Sequence, residues 1–194
     1  MRQEIAQQAA RMLAEGLEID YLAAKSKAAK KLGYSSQQDL PSNVEVENEV
    51  KSYQALFLAE THSLVIKNKR LEALSAMQYF EQFEPRLVGS VLAGTASENH
   101  PIEIELFADS LKDVTFFLID ANIPYEMGEH QVRVNKRESK QVPVVYFSAG
   151  DHEVELRVFS FKDLKQNHLS PITGQAEPRA SVKKVQALLA EVDG

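Results

Sequence analysis

Gly89-Ser90-Val91-Leu92-Ala93-Gly94-Thr95-Ala96-Ser97-Glu98-Asn99-His100-Pro101-Ile102-Glu103-Ile104-Glu105-Leu106 is the stretch on which the fold turns. Its second half alternates Ile102, Ile104 and Leu106 with Glu103 and Glu105, the period of two that a strand with one buried face requires. Side chains on a strand point to opposite sides in turn, so Glu103 and Glu105 share a face. Residues 86–93 are short, apolar and partly β-branched, and they read as a preceding strand. Residues 94–101 read as the turn-rich connection.

Working downstream, Ser110 can cap a helix to about Ala121, with Leu111, Val114, Phe117 and Leu118 inward. Three more strands follow at residues 131–135, 142–148 and 153–159, and Ala149-Gly150-Asp151 suits a hairpin turn between the last two. Residues 161–178 read as mostly irregular, and residues 181–192 as a terminal helix capped by Ser181.

Upstream of Pro85 the period changes to that of helices. Ile5, Ala9, Met12 and Leu13 mark a first helix over residues 3–15, with Gly16 as its stop. Asp20 can cap a second, carrying Tyr21, Ala24, Ala28 and Leu32 on one face and ended by Gly33. A polar loop at 34–41 leads to Ser42 or Asn43 as the cap of a third. Its stripe is Val46, Val50, Tyr53, Leu56 and Phe57, and Glu45 and Glu47 suit its first turn. The helical pattern returns at 69–83, while residues 60–67 read equally as a bend or as continued helix. The aromatic stripe of Tyr53, Phe57, Tyr79 and Phe80 reads as core. The expected architecture is α+β: an amino-terminal helical segment, residues 1–84, and a mixed β-sheet with flanking helices, residues 85–194.

Composition narrows the function classes. The chain has 194 residues, 22 basic against 28 acidic, a net charge of −6 and no cysteine. Disulfides, thiolate metal sites and cysteine nucleophiles are excluded, and the lack of cysteine fits a cytosolic protein. No apolar run approaches the roughly 20 residues that cross a bilayer. The acidic balance disfavours indiscriminate nucleic-acid binding, which needs an excess of phosphate-neutralising cations. Lys25, Lys27, Lys30 and Lys31, and the trio Lys67, Lys69 and Arg70, are the places where a basic patch could still form.

One constellation could carry chemistry. Metal-dependent phosphoryl transfer needs carboxylates that share divalent cations, and Glu103 and Glu105 meet that need from one strand face. Glu153 or Glu155 on a neighbouring strand could supply a third carboxylate, and Gly89-Ser90 or Gly94-Thr95 a turn whose N–H groups and hydroxyl cradle phosphate. Alternation of Glu with aliphatic residues also describes an ordinary sheet with one face in water. The five histidines share no metal-ligand spacing, and His100 and His152 read as turn residues. Arg86, Lys112, Arg133, Lys136 and Arg157 could bind phosphate, although basic residues on strands usually balance neighbouring carboxylates. No Gly-x-Ser-x-Gly elbow, Gly-x-Gly-x-x-Gly turn or phosphate-loop lysine motif is present.

Over residues 86–159 the chain resembles the polymerase-β-type nucleotidyltransferase superfamily, whose signature is a Gly-Ser turn, a second Gly, a strand with two acidic residues one apart, and a third acidic residue on a later strand. As a whole it is similar to uncharacterised bacterial proteins with a helical amino-terminal segment that are labelled nucleotidyltransferase-like. The resemblance implies Mg²⁺ held by Glu103, Glu105 and Glu155, nucleotide phosphates seated by Gly89, Ser90, Gly94 and Thr95, and transfer of a nucleotidyl group from a nucleoside triphosphate to an unknown acceptor. Glu155 suits the third position better than Glu153. One departure bears on activity: at the family's spacing from Gly89-Ser90 the first acidic position falls on Pro101, which cannot ligate a metal. A catalytically degenerate member of the fold, serving as a binding or regulatory module through its helices, is the rival expectation.

Overall fold

The computed structural model describes residues 1–34 and 40–191. They form an α+β structure in two compact units, neither of them a single stretch of chain. Unit 1 holds residues 1–66, 94–100 and 171–173; unit 2 holds residues 67–93, 101–170 and 174 onward. Most of the loop expected at 34–41 lies outside the described residues, as does Val192 at the end of the expected terminal helix.

Unit 1 is built on helices α1 (Arg2–Ala14), α2 (Tyr21–Lys31) and α3 (Asn43–Phe57). Ile5, Ala6, Ala9, Ala10 and Leu13 form the buried stripe of α1 and meet Ala24, Ala28 and Ala29 of α2 and Val46 and Val50 of α3. So many alanines let the helices pack closely with little rotamer entropy lost. The termini follow the sequence signals. Gly16 adopts φ +70 just beyond α1, Asp20 accepts the Ala23 N–H at 2.7 Å, and Ser42 with Glu45 makes a reciprocal capping box at the start of α3.

Tyrosine–glutamate bonds tie the bundle across its surface: Tyr53 to Glu15 at 2.6 Å, Tyr34 to Glu4 at 3.1 Å, and Tyr21 to Glu47. The expected stripe of α3 stops at Tyr53. Leu56 and Phe57 are 75% and 67% exposed instead of buried, because the helix ends at Phe57 and the chain bends at Leu58.

Helix α4 runs from Ala59 to Tyr79, which settles residues 60–67 as helix. Lys69, expected on a basic patch, is fully buried. Arg70 donates to the carbonyls of Val91 and Leu92 at 3.2 and 3.1 Å. In unit 1, Lys25 donates to Asn43 at 2.8 Å and Lys27 pairs with Glu18. No helix among the described residues is long and apolar enough to cross a membrane.

Unit 2 is organised by a sheet of β1 (Arg86–Leu87), β2 (Ile102–Phe107), β3 (Glu126–Arg133), β4 (Ser139–Ala149) and β5 (His152–Phe159), in the order β1-β2-β5-β4-β3. Only β2 and β5 are parallel neighbours; the other pairs are antiparallel. The strand expected over residues 86–93 is only two residues long. From Gly89 the chain winds into the short helix α5 (Gly89–Ala93), since Gly89 takes φ +68, a conformation that ends a strand. The strand expected at 131–135 begins earlier, at Glu126.

Helices α6 (Leu111–Asp120) and α7 (Val182–Ala190) complete the unit. Phe80 and Phe117 meet at 5.4 Å between ring centres, and Phe80 reaches Phe147 of β4 at 5.8 Å, which marks the apolar, helix-covered side of the sheet. Tyr79, beside them, is half exposed rather than core.

Candidate site on the charged face of the sheet

Register decides which side chains share the other side. Glu103 stands opposite Glu155, and Glu105 opposite Arg157, across the parallel β2–β5 pair. Tyr146 of β4 lies next to Glu155, and Val144 next to Arg157. The three glutamates singled out from the sequence therefore lie on one face of two adjacent strands. Gly89 and Ser90 sit beside them: the Ser90 N–H points at the Glu103 carboxylate at 3.4 Å, and a methyl group at Gly89 would collide with that carboxylate. Gly94 and Thr95 belong to unit 1, where the Thr95 carbonyl accepts Gln54 Nε2 at 2.9 Å.

The carboxylates are already occupied. Arg157 donates Nε to Glu155 Oε1 at 2.7 Å and reaches Glu103 with its Nη2. Burial works against the charge of this guanidinium, but the Glu103 and Glu155 carboxylates hold its pKa above the ordinary arginine value. Glu105 is fully buried. Its Oε2 accepts Arg179 Nε at 2.5 Å, and its Oε1 lies 3.2 Å from His168 Nδ1.

Burial pushes the Glu105 carboxyl up to about 7 against the pull of Arg179 and Arg157. Burial and the positive charges of Arg179 and Arg157 hold His168 down to about 4. Glu105 Oε1 and His168 Nδ1 are both buried without a hydrogen-bond partner. Glu177, also buried, has its pKa raised by that burial and is bonded to Ser170 and to the Gly89 N–H.

His168, Glu177 and Arg179 all come from the irregular segment after β5, which crosses this face as a strap. Leu169 N–H bonds to the Arg133 carbonyl at 2.7 Å on the β3 edge, and Leu87 and Ala180 exchange bonds of 2.9 Å on the β1 edge. Arg179 Nη1 ties the strap to itself through the carbonyls of Asp163, Leu164 and Gln166 and the side chain of Asn167, at 3.0–3.4 Å. His168 stacks on Phe159 with ring centres 5.6 Å apart.

Sequence reasoning missed the strap. Nothing local distinguishes His168, Glu177 or Arg179 in a segment without periodicity. Arg157 was legible, since it stands two residues after Glu155 and so on the same face. The histidines at the strand entrances have partners: His152 pairs with Glu72, 80 residues away in the chain, at 2.6 Å, and His100 with Ser97 Oγ, three residues away, at 2.7 Å.

Mg²⁺ is the ion the resemblance implies, and the arrangement does not fit it as it stands. Each carboxylate that would ligate an ion is engaged by an arginine, and among the described residues no group of three His, Asp or Glu side chains could hold a metal. No family model and no curated protein matches the chain.

Proposed function

We propose that this chain is a non-catalytic protein on a nucleotidyltransferase-like scaffold, working as a binding or regulatory module. One observation carries the reading: Arg157 lies between Glu103 and Glu155 and neutralises both. A guanidinium is always charged and forks onto two carboxylates, so the space between them already holds a cation. Arg179 does the same for Glu105. Pro101, standing at an acidic position of the family signature, points the same way. The working surface is then expected on the helices, where Leu56 and Phe57 are exposed beside a groove of about 380 Å³ lined also by Leu32 and Tyr53. The lack of cysteine suits a cytoplasmic setting.

Titration of the protein with Mg²⁺ and a non-hydrolysable nucleoside triphosphate tests the reading. No micromolar binding is expected, and Glu103→Gln and Glu105→Gln should leave biological activity intact. Replacing Leu56 and Phe57 by serine should abolish it. Tight Mg-nucleotide binding that is lost in Glu103→Gln would overturn the proposal.

A second reading, Mg²⁺-dependent transfer of a nucleotidyl group to an unknown acceptor, is favoured by Glu103, Glu105 and Glu155 sharing one face beside Gly89-Ser90. It requires the arginines to withdraw when a metal-bound nucleotide arrives, and it predicts the opposite calorimetric result.

A further inference from the structure

The sheet has two edges, and they end differently. At β1 the edge is short and paired, since Leu87 and Ala180 exchange bonds of 2.9 Å. At β3 the edge strand is eight residues long. Residues of an antiparallel strand alternate, each turning its N–H and C=O to the same side. Val134 N–H bonds to the Glu138 carbonyl within the β3–β4 hairpin, whereas the Arg133 carbonyl accepts Leu169 N–H from outside it. Counting back from Arg133 by twos, Gln131, Glu129 and Met127 turn their N–H and C=O away from β4. Among the described residues no strand lies beyond them, and the strap bridges this edge only at Arg133.

An open row of backbone groups is a template for another strand, and proteins commonly blunt it with lysine, proline or a bulge. Strand β3 has none of the three. It reads Glu126-Met127-Gly128-Glu129-His130-Gln131-Val132-Arg133, and its register with β4 is unbroken from end to end. Glu129 and Gln131 are exposed, and Met127 is 63% exposed. What the edge does carry is acid. Glu129 stands between Met127 and Gln131 on one face, so a two-fold pairing centred there would set Glu129 against its own copy. Like charges directly opposite each other destabilise a strand pair, and the chain's net charge of −6 adds to the repulsion. The edge selects against a second copy and in favour of a basic strand.

We propose that the outer edge of β3 is a docking site for an extended basic segment of another protein, added antiparallel as a further strand of the sheet. Its backbone pairs with Met127, Glu129 and Gln131. A Lys or Arg faces Glu129, and an aliphatic residue two positions later faces Met127. In such strand addition the main-chain hydrogen bonds supply affinity and the alternate side chains choose the partner. The site uses no residue of the glutamate face or of the helical groove, and it stands whether or not the module reading does.

The probe is the fluorescein-labelled peptide Thr-Thr-Val-Lys-Val-Leu-Thr, amidated at its carboxyl end and followed by fluorescence anisotropy with the full chain. Saturable binding is expected, weakened about fivefold when Glu replaces the peptide's Lys. Methylation of the Lys backbone nitrogen, which faces β3, should weaken it about tenfold. Methylation of the preceding Val nitrogen, which faces away, should leave it unchanged. In the protein, Gln131→Pro removes an outward N–H and spares the ladder to β4, a position where edge strands tolerate proline. It should also cost about tenfold in binding. Should that variant fail to fold, the two methylated peptides still decide. The docking site is overturned by a lack of saturable binding or by equal loss from both methylations. Self-association of the native chain that Gln131→Pro abolishes overturns it too, because the edge would then belong to a second copy.

Discussion

On one face of the sheet Ile102, Ile104 and Leu106 stand beside Val154, Leu156 and Val158; on the other, Glu103 and Glu105 stand beside Glu155 and Arg157. The same alternation produces both, yet the two faces are held by different physics. Apolar burial is roughly proportional to area and indifferent to direction, so the first face needs only the right volume from Phe80, Phe117 and their neighbours. Charges removed from water need a specific partner each. The second face meets that demand with Arg157 from within the sheet and Arg179 from a segment far along the chain. One face is therefore tolerant and local in its coding, and the other is exacting and assembled from distant residues.

Deleting one member of the charged face should show the largest effect. Arg157→Ala leaves Glu103 and Glu155 without their common cation, and loss of one partner of a buried pair costs about 3–5 kcal/mol. Urea denaturation measures it; a loss under about 1 kcal/mol would mean that solvent reaches the carboxylates after all. The two-residue exchange Arg157→Met with Glu155→Leu should lose less than the single change, since it leaves one carboxylate, Glu103, without its cation instead of two. On the apolar face Leu156→Ala should cost about 2–5 kcal/mol through lost burial and the cavity it leaves.

The contrast explains what was legible in the sequence. Strand β2, the hairpin turn at Gly150 and the caps at Asp20, Ser42 and Ser181 are local signals, and the structure follows them. The shared face of Glu103, Glu105 and Glu155 followed from strand parity. What period and composition could not carry was the partner list: Arg179 lies 74 residues from Glu105 along the chain. Residues 86–93 misled for a related reason. Val88 and Val91 look like strand residues and are both buried, but the positive φ of Gly89 between them turns the chain into a helix.

Between pH 4 and 7 the buried pair under the strap gives a finer test. The Glu105 pKa is raised from 4.5 to about 7 on folding, so its contribution to stability is complete below 4.5 and lost as pH rises through 7. The His168 pKa is depressed from 6.5 to about 4, so its contribution is present above 6.5 and lost as pH falls through 4. Across the shared window the two slopes oppose each other, and native stability should be nearly flat in what this pair contributes. His168→Asn removes one slope. Relative to the native protein, whose His168 contribution grows as pH rises to 6.5, the variant should lose about 3 kcal/mol between pH 4.5 and 6.5, roughly 2 units at about 1.4 kcal/mol each. Parallel stability profiles for the two proteins would mean that burial and the arginines do not depress His168 as described.

The smallest effect separates the faces most cleanly. Gly89 has φ +68, and a methyl group there would meet the Glu103 carboxylate. Gly89→Ala should therefore cost about 1–2 kcal/mol for the left-handed backbone alone, plus whatever is lost when Glu103 is driven off the Ser90 N–H and away from Arg157. Only the second part depends on Glu103. In a Glu103→Ala background the collision disappears, and the penalty of Gly89→Ala should fall back to its backbone share, a coupling of about 0.5–3 kcal/mol for groups in contact. Ile104, one residue along and on the opposite face, is the control: Ile104→Val in place of Glu103→Ala should leave the Gly89→Ala penalty unchanged. If Glu103 couples no more strongly than Ile104, the glycine serves the turn alone, and the carboxylate is placed by Arg157 without help from the backbone beside it.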